Sequence, residues 1–371
     1  MKNRLFLDVH AIQTLPPSNV NRDDTGSPKT AQYGGVRRAR VSSQSWKKAI
    51  REYFYKNSTQ TNVGTRSLHV VKYIADKITR IDPSIDEDKA MSMANKVLND
   101  AKVKTKLEKP KKGEKGKEEY LTKALFFLGD IQAEKLAKAA IEQIEDKKEL
   151  QEILRNNPAI DIALFGRMVA DDPSLNEDAS CQVAHSISTH GVQTEFDFFT
   201  AADDLSKEDS AGAGMLGTVE FNSSTMYRYA NVAVHELSKQ LENKEATINT
   251  LKLFVEAFSN SLPTGKINTF ANQTIPQLIL VTLRPDRPVN LVSAFEKPVQ
   301  SKEGYVDKSM SKLFDEYKKV EKFVNEPEFS IVLSLDEIKD IDGVEKADKF
   351  DDLLEALGGK LQELIEEKQG E

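Results

Sequence analysis

The stretch from Gly34 to Arg51 carries the clearest chemistry in the sequence. It holds six Lys or Arg and no acid, inside a chain whose formal net charge is -7. Ser42 or Ser43 is placed to cap a helix, and Trp46, Ala49, Ile50, Tyr53 and Phe54 then share one side of it. Lys47, Lys48 and Arg51 fall outside that apolar side. Gly34 and Gly35 predict a turn running into Arg37, Arg38 and Arg40. Backbone N–H groups, serine hydroxyls and cations thus gather around one helix N-terminus, an arrangement that favours anions. A charge run is ordinarily a solvated face. Here the acidic bulk, the glycine turn and the arginines before the cap point instead to a polyanion. Counterion release rewards cations set along a phosphate chain.

Other patterns carry less. Gly212, Gly214 and Gly217 match G-x-G-x-x-G, which holds a dinucleotide only between a strand and a helix. Polar turn formers precede the motif and Thr218 to Phe221 alternates as a strand. The glycines are therefore read as the end of a long hairpin from about residue 196 to 221. His185 and His190 are five apart on an expected strand and point to opposite faces. No HExxH or carboxylate spacing accompanies them, so they read as sheet histidines and no metal site is expected. Asp23–Asp24, Asp171–Asp172 and Asp203–Asp204 are acidic pairs in loops. Carboxylates gathered from separate loops can hold two metal ions, but loop aspartates ordinarily serve as turn and cap residues. There is no G-x-S-x-G elbow. Neither a catalytic residue nor a cofactor is expected.

At 371 residues the chain has room for two or three domains, or one with insertions. The 39% hydrophobic content allows a core, while 30% charged residues imply a highly charged surface. The single cysteine, Cys181, excludes an intrachain disulfide and a multi-cysteine zinc site. Asp8 and His10 interrupt any apolar signal core behind Lys2 and Arg4. No apolar run approaches the roughly 20 residues that cross a bilayer. A soluble cytoplasmic protein without membrane contact is expected, bearing one basic groove on an acidic body.

The elements that position these residues follow from periodicity. Arg4 to Ile12 reads as a strand, with Leu5, Leu7, Val9 and Ala11 on one face. The basic helix runs to about Tyr55. From about Asn57 to Asp178 the signals are nearly all helical, with no convincing strand; Val70, Ile74 and Ile78 recur at helical spacing, as do Leu136, Ala140 and Ile144. Lys102 to Lys117, with eight lysines, reads as a solvated loop. Strands return at Gln182 to His190, Thr218 to Val234, Gln277 to Leu283 and Phe329 to Leu335. A helix covers Glu245 to Leu262, and another, weakened at Gly358–Gly359, covers Leu353 to Ile365. Without the helical block the order is strand, helix, strand, strand, helix, strand, that of a ferredoxin-like sheet. The RNA-recognition module shares this order, but the stacking aromatics of its RNP1 pattern are absent.

Several ordered blocks resemble the CasC family, the backbone subunit of the type I-E CRISPR Cascade complex. They are Asn21–Asp24, Gly34–Lys47, Arg66–His69, Asp161–Met168, Ala184–His190, Phe198–Asp204, Leu216–Phe221, Tyr227–Asn231 and Ala294–Lys297. The resemblance implies an α+β architecture with a ferredoxin-like (RRM-like) palm in residues 1–56, 179–195 and 223–371. It implies an inserted helical fingers domain (57–178) and a β-hairpin thumb (196–222). The implied function is guide RNA binding in several copies, with bases presented for pairing with a target DNA strand. Partners would be neighbouring copies and the large, small, guide-end capping and guide-processing subunits. Carried over by position, Arg22, Ser42, Gln44, Lys47 and Arg51 would hold guide phosphates, with Lys48, Arg38 and Arg40 beside them. Arg66, His69 and Arg167 would join them from the fingers. Met168, Phe199, Thr200 and Leu216 would wedge a displaced base. The lysine-rich insert and the acidic C-terminal region depart from the family pattern.

Overall fold

Strand β1 (Phe6–Ser18) is buried without a break from Phe6 to Gln13, so both of its faces are covered. Alternation sends Leu7, Val9, Ala11 and Gln13 to one face and Asp8, His10 and Ile12 to the other. The computed structural model describes residues 4–57, 62–109, 118–169, 172–201 and 215–367. After β1 come β2 (Thr30–Tyr33), β3 (Val36–Val41) and α1 (Ser43–Asn57). The chain continues through β4 (Gly64–Ser67), α2 (Val70–Ile81), α3 (Glu87–Asp100), β5 (Thr105–Glu108), β6 (Glu119–Thr122) and β7 (Phe126–Gly129). Next are α4 (Asp130–Ile141), α5 (Lys147–Arg155), α6 (Ile160–Phe165), β8 (Cys181–Val183), β9 (Ser186–Ser188), β10 (Glu195–Ala201) and β11 (Met215–Ala233). Helices α7 (Val234–Leu241), α8 (Lys244–Asn260) and α9 (Ile267–Phe270) precede β12 (Leu278–Arg284). The last elements are α10 (Val306–Val320), β13 (Phe329–Ser334), β14 (Glu345–Lys346) and α11 (Phe350–Glu367).

The chain divides into two compact units. The first holds Met1–Tyr53, Gln182–Ala233 and Leu251–Glu371; the second holds Phe54–Cys181 and Val234–Thr250. The sheet of the first unit runs β14-β13-β12-β1-β11-β9-β3-β2. Its middle, β12-β1-β11-β9, places the fourth, first, third and second strands of the expected order side by side. Strand β1 is antiparallel to both neighbours. This α+β arrangement is compatible with a ferredoxin-like core.

The two sheet faces are closed by different means. On one, the Arg228 guanidinium lies 3.8 Å from the Trp46 ring of α1 and 4.4 Å from Phe258 of α8. It also donates to Gln13 Oε1 at 2.5 Å and to the Phe258 carbonyl. On the other face, Ile12, Tyr227, Tyr229, Leu280 and Val332 pack against Leu291, Phe295 and the Met310, Leu313 and Tyr317 ridge of α10. Tyr229 Oη donates to Asp8 at 2.8 Å, and Val289 N–H donates to the second Asp8 oxygen at 3.0 Å. The sheet face used by RNA-recognition modules is therefore filled by the protein's own C-terminal part.

In the second unit the ridge Val70, Ile74 and Ile78 is fully buried against Ala94, Leu98, Leu136 and Leu150. The expectation of a nearly all-helical block with no convincing strand needs correction here: β4 pairs with β7, and β5 with β6. These strands are four residues each, too short for a period-2 signal to stand out. Helix α11 also runs unbroken through Gly358 and Gly359. A Cβ on Gly358 would lie 3.3 Å from Lys252 Cδ, so that side chain packs closely over the helix backbone there. Among the described residues no helix is long and apolar enough to cross a membrane.

Candidate nucleic-acid interface

Gly34 and Gly35 (φ 59° and 78°) form the two-residue turn between β2 and β3, as the left-handed geometry of such hairpins requires. A Cβ on Gly34 would fall 1.6 Å from the Glu296 carbonyl oxygen, so glycine also permits close backbone approach. Strand β3 delivers Ser42 to the start of α1. Ser42 Oγ accepts from Ser45 N–H at 3.3 Å, and its own N–H donates to Asn21 Oδ1 at 2.9 Å. Ser42 is thus a buried cap residue. Trp46, Ala49, Ile50 and Phe54 are buried on the apolar side of α1. Gln44 and Lys48 are exposed, and Lys47 and Arg51 are half-buried. Lys48 reaches Glu52 at 3.5 Å. Arg22, on the turn before β2, is exposed.

His185 lies between β8 and β9, where its Nδ1 accepts from Ser43 N–H at 3.3 Å and stands 3.4 Å from Arg40 Nη1. Because a backbone N–H only donates, the neutral ring carries its proton on Nε2. Burial, then Arg40 and Lys29, holds this histidine below the usual imidazole range. His190 is different: it is buried, stacks on Tyr305 at 3.6 Å and accepts from Thr225 N–H at 3.1 Å through Nε2.

Two expected contacts are corrected by burial. Arg38 is fully buried. Its guanidinium donates to Tyr33 O at 3.1 Å, Ser188 O at 3.0 Å and Phe295 O at 2.7 Å. It ties the β2–β3 hairpin to β9 and to the segment around Phe295. Arg167 is also buried, donating to Leu175 O at 3.0 Å, Phe127 O at 3.3 Å and Leu154 O at 2.7 Å. Burial brings its pKa down to about 10. Neither guanidinium faces a surface on which a phosphate chain could run.

The second unit places Arg66 on β4 and His69 at the N-cap of α2, both exposed. His69 Nδ1 stands 3.2 Å from Glu119 Oε2, and His69 N–H donates to Ser67 Oγ at 3.0 Å. Met168 is 83% exposed beside buried Arg167, which removes core packing as its role. In the first unit, β10 and β11 form an antiparallel hairpin in which Phe199 faces Gly217 and Thr200 faces Leu216. A Cβ on Gly217 would meet the Phe199 ring at 2.3 Å, so this glycine lets an aromatic ring lie across the neighbouring strand. Phe196 and Phe198 are exposed. The hairpin tip, with Asp203, Asp204, Gly212 and Gly214, lies outside the described residues, as do Asp171 and residues 110–117 of the lysine-rich segment.

Asp23 and Asp172 hold turns. Asp23 Oδ1 accepts from Thr25 N–H at 2.9 Å and Ser27 N–H at 3.0 Å, and Asp172 accepts from Ser174 N–H at 3.0 Å. Among the described residues no group of three His, Cys, Asp or Glu side chains is placed to hold a metal ion. A polar cleft of about 460 Å³ opens in the first unit, lined by Arg22, Ser45, Lys48 and the loop Pro263–Lys266. Sequence reasoning missed Lys266, because nothing local links it to the basic segment. It also passed over the placement of His185, although that residue's position before a short strand was visible.

A search of curated proteins found no match. Among solved structures, a chain of a "CRISPR RNA-guided surveillance complex, pre-nicking" superposes with a TM-score of 0.83 at 32% identity, covering 96% of this chain and 100% of that one. A chain of a second "CRISPR RNA-guided surveillance complex" matches with a TM-score of 0.73 at 28% identity, covering 95% and 99%. The model of the CT1975-like proteins, Cas_CT1975, matches residues 7–357. With the match running from β1 into α11, the chain belongs to the CT1975-like family of Cas proteins.

Proposed function

We propose that this chain is a non-catalytic backbone subunit of a CRISPR RNA-guided surveillance complex, of the type I-E Cascade kind in which CasC occupies that place. The observation that carries the reading is the end-to-end structural likeness to chains of two such complexes. The arrangement of the first unit supports it. Arg40 and Gln44 stand at the start of α1, Lys47, Lys48 and Arg51 follow along the helix, Arg22 lines the cleft beside Lys48, and the Ser42 cap orders the N–H groups at the helix start. Such a set holds phosphates without reading bases. In this reading the guide RNA lies along successive copies, and the β10–β11 hairpin, with Phe199, Thr200 and Leu216, lies across RNA held by a neighbour. The remaining bases stay available to a target DNA strand. Arg66, His69 and Met168 contribute from the second unit, and other Cascade subunits complete the assembly.

Purification after co-expression with a guide RNA and partner subunits tests this, with sequencing of the retained RNA and electron microscopy of the particle. Guide-derived RNA and an evenly spaced array are expected. RNA of random origin, or no assembly, contradicts the reading. Divalent-metal-dependent RNA cleavage that is lost in the Asp23→Ala, Asp24→Ala variant replaces it with a nuclease.

A further inference from the structure

Helix α10 turns two stripes to different surroundings. Met310, Leu313 and Tyr317 are buried against the sheet. Beside them Asp307, Ser311, Asp315 and Lys318 recur at helical spacing and are exposed. This second stripe is one wall of a cleft of about 670 Å³, and the loop Asp336–Ile341 between β13 and β14 is the other. Met310, Phe314, Ile338 and Ile341 give the cleft apolar surface, whereas Asp307, Asp315, Asp336 and Glu337 stand exposed on its walls. Lys346 holds the loop by pairing with Asp340 at 2.5 Å and donating to the Ile338 carbonyl at 2.7 Å. The other four acids have no ion pair among the described residues. Lys318 and Lys339 also line the cleft, but the acids outnumber them. Apolar surface inside an acidic rim suits a cationic partner with an apolar anchor.

The chain itself carries such a segment. Residues 102–109 hold four lysines and one glutamate. Lys102, Lys104, Lys106 and Lys109 are exposed, and between the last two Leu107 is 44% exposed on β5. Alternation puts Lys106 on one face of the β5–β6 ribbon and Leu107 on the other, where Lys109 continues. Lys106 pairs with Glu108 at 3.0 Å and Lys109 with Glu118 at 3.1 Å. Both pairs are open to water, where such contacts contribute little and exchange readily.

We propose that the acidic cleft of one copy receives the β5–β6 hairpin of a second copy. Leu107 enters against the apolar surface of Phe314 and Ile338, and Lys106 and Lys109 meet Asp315, Asp336 and Glu337. The contact goes beyond the RNA-binding reading, because it joins protein to protein and needs no nucleic acid.

Sedimentation equilibrium of the full chain without RNA tests it. Self-association is expected near 0.05 M salt and is expected to weaken by about 0.5 M. The cleft variant Asp336→Lys, Glu337→Lys and the hairpin variant Lys106→Glu, Lys109→Glu each set like charges against each other. Each should associate with itself on the order of tenfold more weakly, with Tm unchanged because the four sites are exposed. Leu107→Ser should weaken association by a similar factor. An equal mixture of the cleft and hairpin variants should regain the parent's affinity, since every cleft then finds a hairpin of opposite charge. Parental association in either variant overturns the proposal. So does a loss that mixing does not restore, which places the contact within one copy or on another surface. A hairpin variant that keeps self-association but loses nucleic-acid affinity assigns these lysines to nucleic acid instead. A parent chain that stays monomeric throughout also overturns the contact, and leaves the RNA-binding reading standing.

Discussion

The two halves of the segment Gly34–Arg51 carry three cations each and use them differently. On β3 the period of two separates exposed Arg37 from buried Arg38, while Arg40, on Arg38's side of the strand, is only half-buried. On α1 the period of 3.6 keeps Lys47, Lys48 and Arg51 clear of the buried Trp46–Phe54 side. Similar charge thus serves two ends. A guanidinium can be buried because its fork of donors meets several backbone carbonyls at once, as Arg38 does. The lysine ammoniums of α1 stay within reach of solvent and of a phosphate chain.

The sharpest way to break this comparison is Arg38→Ala. It leaves buried carbonyls without donors and is expected to cost about 3 kcal/mol or more in urea unfolding. Arg38→Lys is not expected to restore that stability, since one ammonium cannot reach carbonyls that diverge. A variant that keeps its stability but loses RNA affinity would move Arg38 to the exposed class. The double variant Lys47→Ala, Arg51→Ala is expected to do the reverse. RNA affinity should fall about tenfold near 0.1 M salt, equally for different guide sequences, with the salt slope flattened by about 1.4. Its stability should change by less than about 1 kcal/mol. A loss confined to one guide sequence would point to base reading.

The histidines extend the comparison with a smaller effect. His10 is buried in the sheet face under α10, and burial, then Arg284, lowers its pKa to about 3. The fold therefore favours neutral imidazole. That contribution is complete above about 6.5 and is lost as pH falls from there towards 3. The neighbouring Asp8, pushed up to about 7 by burial, contributes in the opposite sense and loses its share as pH rises through that value. Thermal unfolding from pH 7 to 4 should show His10→Asn with a weaker acid dependence than the parent.

Much of the fold is legible from periodicity. The apolar side of α1, the fully buried β12 and the Val70–Ile78 ridge each declare themselves within a dozen residues. The Gly34–Gly35 turn is legible because only glycine readily takes two successive positive φ values. The short strands β4 to β7 are not, since four residues carry too little pattern. The candidate interface divides in the same way. Its helix face can be read from spacing alone, whereas Arg38 and Arg167 have the composition of contact residues and the surroundings of core.

By itself the sequence determines which residues are cationic and on which side of their own element each one stands. Alternation along β3 is enough to set Arg38 on the opposite side from Arg37. Only the tertiary structure decides that Arg38's side meets the carbonyls of Tyr33, Ser188 and Phe295, and that Arg167 meets those of Phe127, Leu154 and Leu175. It alone brings Lys266 to the cleft of Arg22 and Lys48. Local spacing fixes direction through backbone geometry. What a side chain meets depends on segments that only the folded chain brings together, from the neighbouring turn to the distant carbonyl of Phe295, and local spacing does not name them.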